Sequence, residues 1–265
     1  MYLTRQDALQ VIIRMQDFES QLKTLFGDYN YDLHENIGRR NMLLSAIQEK
    51  ETARVLRQKF NEVLDDGTPG KPDVVICDID KELECKLTSG SRSNGTVSYS
   101  FQTDYATIQN KEKLDYIFLV ANDDFTEFCA LFFEGLTADD YFPPASGSRG
   151  KSRMNKHKAM TKVKPLVGNV VNISEERVEQ LYAAIVGKRA EKEARLKSLQ
   201  ERLEGASDNA IKFKEKTEQI IINETERYDN AIAKIYDSIS YWANNPKYSL
   251  EFEKIVSGKT TEEAA

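Results

Sequence analysis

Residues 72–87 read Pro-Asp-Val-Val-Ile-Cys-Asp-Ile-Asp-Lys-Glu-Leu-Glu-Cys-Lys-Leu, and this stretch decides the fold. It contains two short runs typical of β-strands, 74–77 and 82–87, and the pair Asp80-Lys81 between them can form a tight turn. The pattern predicts two neighbouring strands, with Asp73 at the head of the first.

The second of these strands carries its charges on one face. Side chains alternate along a strand, so Glu84 and Lys86 share one face while Leu83, Cys85 and Leu87 share the other. Together with the carboxylate that heads the first strand, this face can hold a hard cation and position a water beside it. Such a constellation is what metal-dependent cleavage of a phosphodiester needs.

Length and composition are those of an ordinary soluble protein. The chain has 265 residues, 40% apolar and 30% charged, and its net charge is −6. It contains no run of about eighteen apolar residues, so we expect no membrane span, and its N-terminus lacks the apolar core of a signal peptide. Cys77, Cys85 and Cys129 lie in apolar segments, and we expect buried thiols in a reducing cytoplasm.

Helices precede the two strands. Apolar residues at helical spacing predict a helix over 4–26, with Thr4 as its N-cap, and a second helix over 35–64. A turn cluster follows the second helix at 65–70.

After the two strands of residues 74–87, the sequence predicts mainly further strands. We expect a loop over 89–95, a strand from Val97 to Phe101 and a short helix over 103–113. Two strands, Leu114–Ala121 and 128–133, are nearly all apolar, as central strands are. This order predicts an α/β (α+β) fold with a central mixed β-sheet flanked by helices.

The last third of the chain has a different character. Long, highly charged helical sequence runs from Ser174 to about 242, with a break at 205–207. We therefore divide the chain into a core over 1–172, an appended C-terminal helical region over 173–257 and a disordered tail over 258–265.

The spacing of Pro72-Asp73 and Glu84-x-Lys86 over 48–121 resembles the core of the PD-(D/E)XK nucleases, the fold of many type II restriction endonucleases. The resemblance implies that Asp73 and Glu84 bind Mg²⁺, and that Lys86 orients the attacking water or offsets developing charge. It also implies an additional Glu on the preceding helix, for which Glu51 is the first candidate and Glu49 the second. Gln102, at the end of the third strand, is a further candidate to support the site.

A basic loop over 146–164 reverses the charge of this acidic chain. Its cations are uninterrupted by any acid, and such residues neutralise phosphates and read base edges. We expect Arg149 and Arg153 to read bases, and Lys151, Lys156 and Lys158 to contact phosphates, with Asn155 also in the DNA surface.

These features favour a Mg²⁺-dependent endonuclease that cleaves double-stranded DNA at specific sequences, a type II restriction enzyme of the prokaryotic cytoplasm. Cleavage of both strands needs two active sites, so we expect a homodimer, with the C-terminal helices at the dimer interface or embracing DNA. The alternatives are a junction-resolving or repair nuclease of the same fold, and a catalytically silent DNA-binding or helical scaffold protein.

Overall fold

The computed structural model describes residues 1–65, 68, 71–93, 96–148 and 150–256. The α-helices are α1 (Arg5–Gly27), α2 (Ile37–Leu56), α3 (Tyr105–Asn110), α4 (Lys156–Ala159), α5 (Ile173–Glu204) and α6 (Ile211–Asn244). The strands are β1 (Val63–Leu64), β2 (Val74–Ile76), β3 (Lys81–Ser93), β4 (Thr96–Tyr99), β5 (Gln102–Asp104), β6 (Leu114–Ala121), β7 (Glu127–Leu136), β8 (Lys151–Arg153), β9 (Val163–Val167), β10 (Asn169–Asn172), β11 (Tyr248–Glu251) and β12 (Glu253–Lys254).

The chain forms two compact units. Unit 1 comprises Met1–Val170 and the segment from Leu250 onward, and unit 2 is Val171–Ser249. The first boundary lies close to the one predicted from the sequence. The second differs from the prediction, because β12 pairs with β7 at the edge of the sheet in unit 1. The predicted disordered tail, 258–265, lies outside the described residues.

Within the described residues, eight strands form one mixed sheet in unit 1. Their path is β1-β2-β3-β6-β7-β12, with β4 also paired to β3 and β9 to β7. Strands β3 and β6 run parallel, whereas their other partners run antiparallel. The α/β prediction of a central mixed sheet with helices and a C-terminal helical region is therefore confirmed.

The two faces of the sheet are packed differently. On one face, Leu83 and Ile117 lie in a core that also contains the buried side chains of α1 and α2. On the other face, Tyr116 and Phe118 stack on each other and Phe118 contacts the ring of Phe101. Each fully buried side chain of this size contributes roughly 1.5–3 kcal/mol, so both faces hold β3 and β6 in register.

Helix α1 begins where the sequence predicts. The side chain of Thr4 accepts a hydrogen bond from the backbone of Asp7, and the Asp7 carboxylate accepts from the backbone of Thr4 at 2.7 Å. This reciprocal capping satisfies amides that the first helical turn leaves without partners.

Helix α2 ends at Leu56 and not at 64 as predicted, because contacts from distant residues determine the path after it. The Arg57 guanidinium donates to the carbonyl of Val63, and the Asp78 carboxylate accepts from the backbone of Asn61 at 2.7 Å. The chain is thereby extended into β1, which pairs with β2.

The connection between β2 and β3 also differs from the prediction. After Ile76 the chain forms a short 3₁₀ turn, Cys77–Ile79, and Asp80 adopts the left-handed conformation with φ of 50°. Cys77 therefore leaves the strand and is exposed, whereas Cys85 and Cys129 are buried as expected. Farther on, β3 continues to Ser93 and pairs with β4, so part of the predicted loop over 89–95 is strand.

Unit 2 is an antiparallel pair of long helices. Its apolar core consists of Leu181 and Ile185 from α5 and of Ile232 and Ile239 from α6. The break between the helices begins at Gly205, close to the predicted position. No helix among the described residues is long and apolar enough to cross a membrane.

The exposure of Cys77 gives a test of the turn after β2. Titration of the native protein with a thiol reagent at pH 8 should modify one thiol per chain, and unfolding should expose all three. Replacement of Cys77 by Ser should remove the native reaction, whereas Cys129→Ser should leave it unchanged. Rapid labelling of two or three thiols in the native state would contradict this arrangement.

Candidate active site

The candidate site lies at a gap in the pairing of β3. Strand β2 covers the edge of β3 only from Lys81 to Leu83, and β4 pairs with it only from Gly90 onward. Among the described residues, β6 is the only strand that pairs with β3 between Glu84 and Ser89. At this gap the carboxylate of Asp73 accepts a hydrogen bond from the backbone of Cys85, 2.7 Å from Asp73 Oδ2. The side chain thus replaces the missing strand as the acceptor of this amide.

The three residues predicted from the sequence come together here. Lys86 Nζ lies 2.5 Å from Glu84 Oε1 and 3.9 Å from Asp73 Oδ2. Leu83 and Cys85, which alternate with them, are buried against the helices. The predicted separation of charged and apolar residues along β3 is therefore present.

The charges of this cluster are not balanced. Burial raises the pKa of Asp73, and the nearby Lys86 ammonium opposes this effect only in part. Burial likewise raises the pKa of Glu84, and the Lys86 ammonium opposes this effect only in part. Burial lowers the pKa of Lys86, but the two carboxylates outweigh it and the net shift is upward. Because two carboxyl groups share the single ammonium of Lys86, the cluster can attract a further cation.

One oxygen of the cluster has no hydrogen-bond partner among the described residues. Glu84 is only 7% exposed, and its Oε2 atom is buried and unpartnered. A buried carboxylate oxygen without a donor is costly, and a bound cation is one way to satisfy it. The described residues contain no group of three His, Cys, Asp or Glu side chains placed to hold a metal. Mg²⁺ usually takes only one or two carboxylates and completes its shell with waters and phosphate oxygens, so the Asp73–Glu84 pair fits this ion.

Helix α2 directs Glu49 toward the site, and not Glu51. Burial, and then the charge of Asp73, raises the pKa of Glu49 to about 7, and Glu84 adds to the shift. The carboxylate of Glu51 instead lies 2.5 Å from Arg54 and 3.9 Å from Arg14. Of the two candidates, Glu49 is therefore the one whose charge interacts with the cluster, and Glu51 is paired with arginines.

Gln48, which is not among the residues predicted from the sequence, anchors this helix to the strands. It is fully buried, and its amide nitrogen lies 3.4 Å from the carbonyl of Lys86 and 3.3 Å from that of Ile117. The sequence does contain a signal for Gln48, because it lies four positions before Thr52 on the apolar side of α2. A glutamine on the buried side of a helix is unusual unless its amide has buried hydrogen-bond partners.

Gln102 does not reach the cluster. Its amide donates to the Ser100 hydroxyl at 2.9 Å, and its neighbour Thr103 points inward instead. The Thr103 hydroxyl lies 2.9 Å from that of Tyr116, which is the partner of Glu84 in the β3–β6 ladder. Support from this strand therefore comes from Thr103 through Tyr116.

From Gly150 onward the basic segment forms regular elements of unit 1. It contains β8, α4 and the start of β9, and Ser152, Met154, Ala159 and Met160 are buried between its cations. These anchors recur at short intervals, so the segment has an inner and an outer side.

The predicted DNA-binding residues divide by environment. Lys151, Arg153 and Lys158 are exposed, and no carboxylate of the described residues lies within salt-bridge distance of them. Lys156 is half-buried, donates to the carbonyl of Tyr99 at 2.7 Å and has a pKa lowered by burial. Two predicted residues remain. Asn155 is half-buried at the start of α4, and Arg149 lies outside the described residues.

Two other cations of the segment are neutralised. Lys162 lies 2.7 Å from the Asp140 carboxylate, and Lys164 lies 2.6 Å from that of Glu134. They are less suited than the exposed, unpaired cations to bind phosphate.

Comparisons of the chain with protein-family models, curated proteins and solved structures found no match. An activity of this chain is therefore inferred from the geometry and chemistry of the site itself.

The raised carboxyl pKa values predict how stability depends on pH without metal. Between about pH 4.5 and 7, folded Glu49 holds a proton that the unfolded chain releases. Raising the pH across this range should therefore lower the free energy of unfolding, and the raised pKa values of Asp73 and Glu84 act in the same direction.

The measurement is thermal unfolding in EDTA from pH 5 to pH 8 for the wild type and Glu49→Gln. The loss of stability should be smaller in the variant, and adding Mg²⁺ at pH 8 should raise the melting temperature of the wild type. Glu51→Gln serves as the matched control on the same helix. Identical pH profiles for wild type and Glu49→Gln would contradict the burial of this carboxyl.

Proposed function

We propose that this protein is a Mg²⁺-dependent endonuclease that hydrolyses phosphodiester bonds of double-stranded DNA, acting as a site-specific type II restriction enzyme in a prokaryotic cytoplasm. The observation that carries the proposal is the cluster of Asp73, Glu84 and Lys86 at the open edge of β3, with a buried carboxylate oxygen that lacks a partner. The resemblance of these residues to the PD-(D/E)XK pattern supports it.

Asp73 and Glu84 are the residues that would hold Mg²⁺. When bound there, the ion would polarise the scissile phosphate and lower the pKa of a coordinated water. Asp73 is kept in place by the Cys85 amide, and Glu84 by the Lys86 ammonium. Both ligands are thus oriented before the ion and the DNA arrive, which reduces the cost of assembling the site.

Lys86 and Glu49 complete the reaction geometry in this proposal. The Lys86 ammonium is held by two carboxylates, so it remains charged and can orient the attacking water or stabilise charge on the phosphate. Glu49, with a pKa near neutrality, is suited to accept a proton from that water.

The exposed cations of β8 and α4 supply a surface for the DNA backbone. Lys151, Arg153 and Lys158 have no carboxylate partner among the described residues, so binding phosphate would not require breaking an ion pair. The rest of this chain, whose total net charge is −6, would repel DNA elsewhere. Cleavage of both strands also implies a homodimer, for which α5 and α6 are candidate contacts.

Single substitutions test the catalytic assignment in a plasmid-cleavage assay with Mg²⁺ or EDTA. Asp73→Asn, Glu84→Gln and Lys86→Ala should abolish Mg²⁺-dependent cleavage, because each removes a metal ligand or the positioning charge. Glu49→Gln should slow cleavage by about 10- to 100-fold, as expected for a group that supports the metal site.

Glu51→Gln is the control for that series, because its carboxylate is paired with arginines away from the cluster. Circular dichroism should show that all variants are folded. Wild-type rates in Asp73→Asn or Glu84→Gln, or equal effects of Glu49→Gln and Glu51→Gln, would refute the assignment. An inactive wild type that still binds DNA would favour the silent binder.

The DNA surface is tested by binding across salt concentrations. Lys151→Ala and Lys158→Ala should each weaken binding to all duplex sequences and reduce the salt slope by about one unit, since each cation displaces counterions. Lys164→Ala, whose ammonium is already paired with Glu134, should change the slope much less. If Lys151→Ala and Lys158→Ala leave the affinity and the salt slope as unchanged as Lys164→Ala does, the phosphate contacts lie elsewhere on the chain.

A further inference from the structure

An open pocket lies beside the exposed face of the β5–β8 ribbon. It has a volume of about 390 Å³ and is lined by Gln102, Phe142, Pro143, Ser148, Lys151 and Arg153. Gln102 and Arg153 are directly paired across the two strands. The size is within the range of small-molecule sites, roughly 300–1,000 Å³.

The backbone directs these side chains to the same side. Thr103 and Ser152 of the ribbon are buried, so the residues that alternate with them point outward. The chain at 141–142 continues this pattern beside β8: Tyr141 forms a bridge to Met154 and is buried, whereas Phe142 is 53% exposed. Phe142 is thus an aromatic ring at the surface beside an amide and two cations.

The chemistry of the lining matches a nucleobase with its phosphate. An exposed aromatic ring stacks on bases of any sequence, and a guanidinium plane can do the same. A glutamine amide and an arginine fork pair with the edges of bases, and a lysine neutralises a phosphate. The Ser148 hydroxyl is buried at the pocket without a partner among the described residues, which leaves one more hydrogen-bonding group for a ligand.

Strand β5, which carries Gln102 of the pocket, also contacts the sheet strand next to the candidate active site. On the inner side of the ribbon, Thr103 bonds to Tyr116, which is the ladder partner of Glu84. A nucleotide held on the outer side of β5 would therefore lie one structural layer from the metal-binding carboxylates.

We propose that this pocket binds one unstacked nucleobase of the DNA, with the base against Phe142, its edge toward Gln102 and Arg153 and its phosphate at Lys151. This inference rests on the proposed function, because it assigns the pocket a part of the same substrate. It adds a site at which the enzyme recognises a nucleotide that has left the helical stack.

The test measures binding in EDTA, so that no cleavage occurs, with three fluorescent duplexes of one sequence. One is fully paired, one carries a single unpaired nucleotide, and one carries a single unpaired abasic residue. The last two share the bend and the extra phosphate but differ in the base. Wild-type protein should bind the base-bearing bulge at least severalfold more tightly than the abasic bulge.

Substitutions then assign this preference to the pocket. Phe142→Ala should remove it by weakening binding of the base-bearing bulge about tenfold, the scale of a lost base–aromatic stack. Phe142→Tyr should retain it. Tyr29→Ala, which removes a 77% exposed aromatic ring elsewhere, is the matched control and should also retain it.

The outcomes separate this inference from the proposed function. Equal binding of the two bulges by the wild type, or a preference that persists in Phe142→Ala, would overturn the pocket assignment and leave the cleavage results intact. A preference that depends on Phe142, together with no Mg²⁺-dependent cleavage, would support the pocket and refute the nuclease. Absence of binding to all three duplexes would overturn both.

Discussion

The hydrogen bond from the Cys85 amide to the Asp73 carboxylate is the contact on which the candidate site depends. A strand edge left without partners exposes amides and carbonyls to water or to another chain. Here one of those amides is satisfied by a side chain at 2.7 Å, so β2 can end and the edge can remain open beside it. The charges of Asp73, Glu84 and Lys86 all act on Glu49 of α2, so the helix brings a third carboxyl group to this part of β3.

The cluster contains more acidic groups than its single ammonium can neutralise. Three partly buried carboxyl groups surround one ammonium, and all three have raised pKa values. A cluster built only for stability would pair its charges or replace them with apolar groups. The sheet tolerates this cost because β6, which supports β3 from the other edge, is buried along its whole length. The apolar strand β6 therefore positions β3, the strand that carries Glu84 and Lys86.

Sequence patterns predicted the elements that local residues determine and failed where distant ones decide. The Thr4 cap and the apolar run of β6 are local signals, and both elements lie where expected. The end of α2 depends on Asp78, which is 17 residues from the amide it binds, and no periodicity reports such a contact. Glu51 was preferred to Glu49 for a related reason: only the packing of α2 on β3 decides which one faces the strands, and the sequence does not report it. The acid-acid-lysine set was recognisable because strand alternation fixes side-chain direction without tertiary information.

After Ser249 the chain returns to the sheet of unit 1, so in the sequence the helical unit lies between two parts of unit 1. Because β12 follows α6 and pairs with β7, the two long helices are an insertion within unit 1 and not an extension of its end. Truncation of the chain within the helices would therefore remove β12 from the sheet as well, so the sheet of unit 1 is complete only with the chain that follows unit 2.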